Sequence, residues 1–353
     1  ANEVTINDFN PAEELAVTNS RVDGLEARLN NFEAGSFSTT TTASFGADFV
    51  IGAVDGAGAG KEAVTFEYQY GMNLSTSFTG EDSLDLTIET GNAGATVGSA
   101  AVLNMNGMGD KMTLDGITYT FPLGDAVTVM VGDSTDVSAL YSTACTYSAF
   151  TDLLGNCGSG TAAGLGGGSD FTASPNSASS ATVAASYDFG NGFTIAGGLS
   201  GAGGADAGLF TKESKDVYGV QAAYNTDSLG VSLSYALTDT STTAETTFFG
   251  VNAYYSLDGG PSLSIGFESE DPDASAEETG YFIGLTWDDF GPGSFSIGMS
   301  TLENYTDAET ELYQYEAAYS YAINDGMTIT PGVFIKEGST DQTGVIVKTS
   351  FSF

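Results

Sequence analysis

The chain closes on Val345-Ile-Val-Lys-Thr-Ser-Phe-Ser-Phe353. Read as an extended strand, it puts Val345, Val347, Thr349, Phe351 and Phe353 on one side, and Ile346, Lys348, Ser350 and Ser352 on the other. Successive side chains of a strand point to opposite faces, so this alternation marks a sheet that meets two different media. One face takes aromatics; the other takes hydroxyls and an ammonium.

The same period of two begins at Phe37 and recurs to the end. Phe66, Tyr68, Tyr70, Met72, Leu74 and Phe78 oppose Glu67, Gln69, Gly71, Asn73, Ser75 and Ser77. Tyr313, Tyr315, Tyr319 and Tyr321 share a face with Ala317, against Gln314, Glu316 and Ser320. Aromatics at both ends of a strand with a small residue between them are the pattern of two interfacial girdles around an apolar band. Sixteen strands are expected, at 37–51, 64–78, 83–90, 112–121, 125–132, 181–189, 193–200, 216–225, 229–237, 246–257, 262–268, 279–288, 294–301, 312–323, 326–336 and 343–353. After even-numbered strands the connections are tight and rich in turn formers, such as Gly190-Asn191-Gly192 and Asn324-Asp325. After odd-numbered strands they are longer. Short turns on one rim and long loops on the other describe a transmembrane barrel. The expected fold is therefore all-β, an antiparallel barrel of about 16 strands over 36–353 with an aqueous interior.

Composition agrees. Mean hydropathy is +0.00, and no run of apolar residues is long enough for a membrane helix, whereas alternating strands average to neutrality. Asp and Glu total 46 against 8 Lys and Arg, giving a net charge of −38, and there is no His. Such a chain repels phosphate backbones, so nucleic acid is not an expected partner. Without His there is no imidazole base for a nucleophilic triad, and Gly60-Lys61-Glu62 fails the phosphate-loop pattern. No enzyme, metal centre or cofactor is expected. The acidic cluster Asp271, Asp273, Glu277 and Glu278 reads as a solvated loop.

Residues 1–35 follow a different period. Leu15, Thr18, Val22, Leu25, Leu29 and Phe32 alternate in steps of three and four, a heptad seam. Two readings stand: an amphipathic helix docked on its own chain, or a short coiled coil through 15–32 that joins copies. Ala1 reads as a mature N-terminus left by cleavage.

The connection after the fifth strand, about 133–180, is the longest and holds both cysteines, Cys145 and Cys157. A stretch of that length without strand pattern is usually functional. It is expected to fold into the lumen as a constriction, stiffened by a local disulfide. Inward-facing charges are expected at Asp48, Glu67, Asp85, Glu89, Asp188, Glu268 and Glu316, with Lys336 and Lys348, and the loop adds Asp133, Asp136, Asp152 and Asp170. The inward positions are otherwise dominated by Ser, Thr, Gly, Ala, Asn and Gln, small and hydrated.

Several blocks carry a family resemblance. Val17-Thr-Asn-Ser-Arg-Val-Asp-Gly-Leu-Glu-Ala-Arg-Leu29 with Phe37-Ser-Thr-Thr-Thr41 resembles the coiled coil and first strand of cyanobacterial Som-type porins. Thr76–Asp82, Tyr119–Asp125, Tyr187–Gly192, Gly208–Phe210, Ile329–Phe334 and the closing Thr349–Phe353 resemble that family at matching positions. In outer-membrane barrels the terminal aromatic is part of the insertion signal. The resemblance implies an OprB-like porin, labelled both carbohydrate-selective and iron or inorganic-ion uptake, in the outer membrane and trimeric. It implies lipid, other copies of the chain and small solutes as partners. Family members usually carry a surface-layer-homology domain that grips peptidoglycan; the sequence in hand shows none, so the resemblance does not carry that contact over. The sequence also lacks arginine throughout the barrel. The readings of other classes are a structural envelope barrel with a blocked pore, and a glycan-binding adhesin.

Overall fold

The computed structural model describes residues 21–22, 40–56, 62–92, 102–103, 105, 107–133, 135, 137–142, 144–151, 181–201, 208, 211, 216–240, 244–302, 306 and 308–353. Two units are distinguished, Ala1–Thr42 and Ala43–Phe353. Of the N-terminal heptad positions only Val22 is described, helical together with Arg21. The rest of that pattern lies outside the described residues.

The second unit is a closed antiparallel barrel of sixteen strands, each paired with its neighbours in sequence and the last with the first. They are β1 (Thr41–Asp55), β2 (Thr65–Thr76), β3 (Ser83–Gly91), β4 (Thr113–Leu123), β5 (Val127–Asp133), β6 (Ala181–Asp188), β7 (Phe193–Gly201) and β8 (Asp216–Asn225). There follow β9 (Leu229–Thr240), β10 (Ala244–Ser256), β11 (Ser262–Pro272), β12 (Glu278–Phe290), β13 (Gly293–Thr301), β14 (Tyr313–Asn324), β15 (Met327–Lys336) and β16 (Gln342–Ser352). Both ends of the sheet are consumed in the β1–β16 seam, so no edge is left with unpaired backbone groups, the condition lipid imposes. At its foot Phe45 N–H donates to Phe353 O and Phe353 N–H to Phe45 O, with the two rings stacked at 5.6 Å.

The faces divide as the alternation requires. Phe49, Ile51, Phe66, Val183, Leu233, Ile283, Ile335 and Val345 leave large apolar surface exposed on the outer wall, which in a soluble protein would be a liability but in a bilayer is the contact surface. Aromatic clusters mark both rims. Tyr187–Phe189–Phe193 and Phe290–Phe295–Tyr319 lie at the short turns, and Tyr281–Tyr313–Tyr315 at the long loops. One expected difference of rims is weaker than the sequence implied. β9 and β10 run on to Thr240 and from Ala244, so their long-side connection shrinks to residues 241–243.

The turn between β2 and β3 is organised by one carboxylate. Asp82 Oδ1 accepts from Phe78 N–H, Thr79 N–H, Thr79 Oγ1 and Ser77 Oγ at 2.7–2.9 Å, and Oδ2 accepts from Tyr119 OH at 2.8 Å. Burial works against the charge, but the hydrogen bonds from Thr79, Tyr119 and Ser77 outweigh it and hold the Asp82 carboxyl well below the ordinary value. A carboxyl depressed in the folded state stabilises at any pH above its unfolded value, and the contribution is lost as pH falls through the folded one. Asp82→Ala is thus expected to lower the temperature at which the compact barrel converts to the unfolded gel band at neutral pH. The gap to wild type should close in strong acid; a gap that persists there, or none at neutral pH, would contradict the assignment.

Candidate functional site: the loop laid on the inner wall

The described part of the long loop lies inside the barrel: 137–140 form a turn closed by Tyr141 N–H to Ser138 O at 2.8 Å, and from there 141–142 and 144–149 cross the strands with no helix or turn. Its alternate backbone N–H groups donate one by one to inward side chains: Ser142 to Gln221 Oε1 (2.7 Å), Ala144 to Ser232 Oγ (3.0 Å), Thr146 to Ser264 Oγ (3.1 Å), Ser148 to Thr286 Oγ1 (3.1 Å) and Phe150 to Glu316 Oε1 (2.7 Å). These acceptors belong to β8, β9, β11, β12 and β14. The spacing is a matter of lengths: six strand intervals span roughly 29 Å, and eight extended residues reach about 27 Å. An extended segment therefore advances about one and a half strand spacings with every second residue, so β10 and β13 are passed over, and its backbone donors, which would otherwise be buried without partners, are satisfied by the wall. Further back, Thr182 Oγ1 donates to Thr135 O and Asn225 Nδ2 to Ser142 O.

The far end is clamped by Glu316. Its Oε1 accepts from Tyr147 OH (2.9 Å) and Phe150 N–H, and its Oε2 from Thr151 N–H (2.8 Å) and the Thr151 hydroxyl. Burial, then the Glu316 charge, push the Tyr147 phenol well up, so it remains a donor. Two glycines make room. A Cβ on Gly284 would meet the Tyr147 ring at 2.4 Å, and one on Gly332 the Phe150 ring at 2.3 Å; only a hydrogen lets the rings approach the sheet so closely. Phe150 then joins Val50, Val54, Ala318, Phe334 and Ile346 in a buried apolar cluster, together with Val102 and Met105 of the β3–β4 loop.

That cluster is an apolar exception within a lining expected to be dominated by small, hydrated residues. Val50, Val54, Phe334 and Ile346 point inward and are covered by loop residues. The expected inward charges are also in different surroundings. Glu316, 3% exposed, lies beneath the loop; Glu268, 2%, and Glu67, 7%, are buried as well. Asp48, Asp85 and Glu89 are half-buried on β1 and β3, where Asp48 Oδ2 accepts from Gln69 Nε2 and Asp85 Oδ2 from Ser83 Oγ. Asp188 is exposed at the short-turn rim and accepts from Gly190 N–H. Asp133 ends β5, and Lys336 and Lys348 are half-buried on β15 and β16. Asp136, Asp152, Asp170 and Cys157 lie outside the described residues, while Cys145 is disulfide-bonded. Sequence reasoning missed the acceptor row Gln221, Ser232, Ser264 and Thr286, because their types match an ordinary hydrated lining. A detectable signal was the inward glycine at 284 and at 332.

Comparison with known proteins agrees with this architecture. Residues 46–342 match the family model for Gram-negative porins. Among solved structures, OprB of Pseudomonas putida at high pH superposes with a TM-score of 0.64 at 12% identity, over 89% of this chain and 94% of that one. A substituted variant of Rh. blastica porin gives 0.59 at 16% identity, over 89% and 100%. The uncharacterized protein alr4550 of Nostoc sp. is 34% identical over 128 residues, 32% of this chain. The match spans about a fifth of that protein's length, 22%. Passive channels rather than enzymes make up the matched family, and its place is the outer membrane. With the closed barrel, the lipid-facing band and the family match over most of its length, the chain belongs to the Gram-negative porins.

Proposed function

We propose that the protein is a passive pore for small hydrophilic solutes and inorganic ions, narrowed by the loop on its inner wall and preferring cations. The observation that carries this reading is the zipped segment 142–151. It thickens the wall from β8 to β14, while Asp48, Glu67, Asp85 and Glu89 lie on the neighbouring strands β1–β3. Carboxylates of one sign along a low-dielectric wall raise the local concentration of counter-ions. Their reach is about 8 Å at physiological salt, so the preference grows as the loop on the wall narrows the passage. In planar bilayers under a KCl gradient the reversal potential should report cation selectivity, and Asp48→Asn with Glu67→Gln and Glu89→Gln should move it toward zero. Anion selectivity of the wild-type pore in dilute KCl would overturn the reading, and absence of any conductance would favour the blocked envelope barrel.

Sugars and iron species as cargo, and a homotrimer held through residues 15–32 and the barrel wall, belong to the same proposal. Val22, a seam position, is 44% exposed. We place the Cys145 disulfide with Cys157, the one other cysteine of the chain. A short closed ring of this kind stabilises by roughly 2–3 kcal/mol. Because the barrel is held by its own ladder, Cys145→Ser with Cys157→Ser should leave heat-modifiable folding intact and increase open-channel current noise. Free thiols titrating in the native protein would remove the basis for this expectation.

A further inference from the structure

Beside the loop tip, on its short-turn side, the inner wall holds a recess of about 290 Å³. Among the described residues, seven hydroxyl-bearing ones and one ammonium line it, and no carboxylate does. In a chain of net charge −38, a lumenal recess whose described lining holds one ammonium and no carboxylate stands apart. Lys348 stands between Val50 of β1 and Thr330 of β15 in the ladder, and Ser350 faces Asp48 and Thr328. Asp48 is the nearest carboxylate in register, but its Oδ2 is engaged by Gln69 Nε2 at 2.7 Å on the side away from β16.

We propose that this recess is a binding station for a small inorganic oxyanion. The chemistry of the lining selects that class. Hydroxyls and an ammonium can donate, and a ligand made only of acceptors suits those whose protons are not already spent within the wall. Thr330 Oγ1 donates to Ser320 Oγ at 3.3 Å, which leaves the Ser320 proton for a ligand. A metal cation finds no carboxylate there and is repelled by Lys348. A sugar would need an aromatic platform, and Phe150, the one ring among the described lining residues, is 5% exposed and packed over Gly332. The station goes beyond the proposed cation preference: it gives anions one foothold in an otherwise acidic passage.

Occupancy can be read without conduction, which separates this inference from the pore reading. Inorganic phosphate is titrated with the detergent-purified, full-length protein and its phosphorus NMR line width followed. The wild type should broaden the line saturably, and sulfate should compete. Lys348→Gln should weaken binding about tenfold, the usual cost of losing one charged donor, and Lys348→Arg should retain it. Heat-modifiable mobility checks that each variant is folded. Thr330→Ala, which keeps the charge, should weaken binding less, and it decides the matter if Lys348→Gln fails to fold. No saturable broadening by the wild type, no competition by sulfate, or equal affinity in the folded variants would overturn the proposal.

Discussion

Replacing Glu316 with alanine is expected to free the tip of the loop and enlarge the pore. The substitution removes the acceptor for the N–H groups of Phe150 and Thr151 and for the hydroxyls of Tyr147 and Thr151. A buried donor left unpaired costs about 1–3 kcal/mol, and bonds to a carboxylate are the stronger kind. Two orphaned N–H groups and two lost hydroxyl bonds therefore weaken docking by roughly 3–6 kcal/mol. Against that stand the Ser148 N–H bond to Thr286 Oγ1 and the rings of Tyr147 and Phe150 over Gly284 and Gly332, and the four Glu316 bonds outweigh them, so the docked arrangement should lose its majority. Single-channel conductance should rise and become noisy, while the unheated protein still runs compact on gels. Glu316→Gln should fall between, because an amide offers one acceptor oxygen in place of two. Unchanged conductance and noise in Glu316→Ala would show that the four bonds do not hold the loop.

The second large effect comes from sterics rather than charge. Gly332→Val places methyl groups where the Phe150 ring now lies, and Gly284→Val does the same to Tyr147. Overfilling a packed contact costs about 1–3 kcal/mol, and here a loop can yield more readily than a paired strand. Each change should therefore displace the tip and raise conductance in the same direction as Glu316→Ala. The two routes act on one element, so their effects should not add. The double variant Gly332→Val with Glu316→Ala should conduct no more than the larger of the singles. A double variant that conducts as the sum would mean that two separate constrictions exist.

Much of the barrel was legible because lipid on one side and water on the other force a period of two. β8 runs over Asp216–Asn225, as the alternation predicts, and most other boundaries shift by one or two residues. β1 departs further: it continues to Asp55 rather than ending at 51. Gly52, Ala53 and Val54 show no contrast between faces, yet they pair with Ile346, Val345 and Gly344. The interior was harder to read for the same reason. Val50, Phe334 and Ile346 face inward but are covered by chain remote in sequence, and no local pattern signals that cover. Glu316 looked like a lumenal charge because its side of β14 is polar. Its burial follows from where residues 147–151 settle, which depends on the path of a loop and not on any strand. Ser232, Ser264 and Thr286 have the same ambiguity: a hydroxyl suits water and a backbone N–H equally.

The seam at Phe45 and Phe353 bears on the order in which the molecule can be made. Every other strand pairing joins neighbours along the chain, so each can form as a hairpin or across one connecting loop as soon as its two strands exist. The β1–β16 ladder alone joins residues as far apart as Gly46 and Ser352. Bringing such distant ends together costs on the order of 5 kcal/mol of chain entropy beyond the fixed constant, and no part of that cost is recovered until the two strands meet. Closure must therefore be the last event. Until then β1 and β16 both present open edges, able to pair with whatever strand is nearest, including one from another copy. Whatever holds β16 in waiting decides whether the product is a pore or an aggregate.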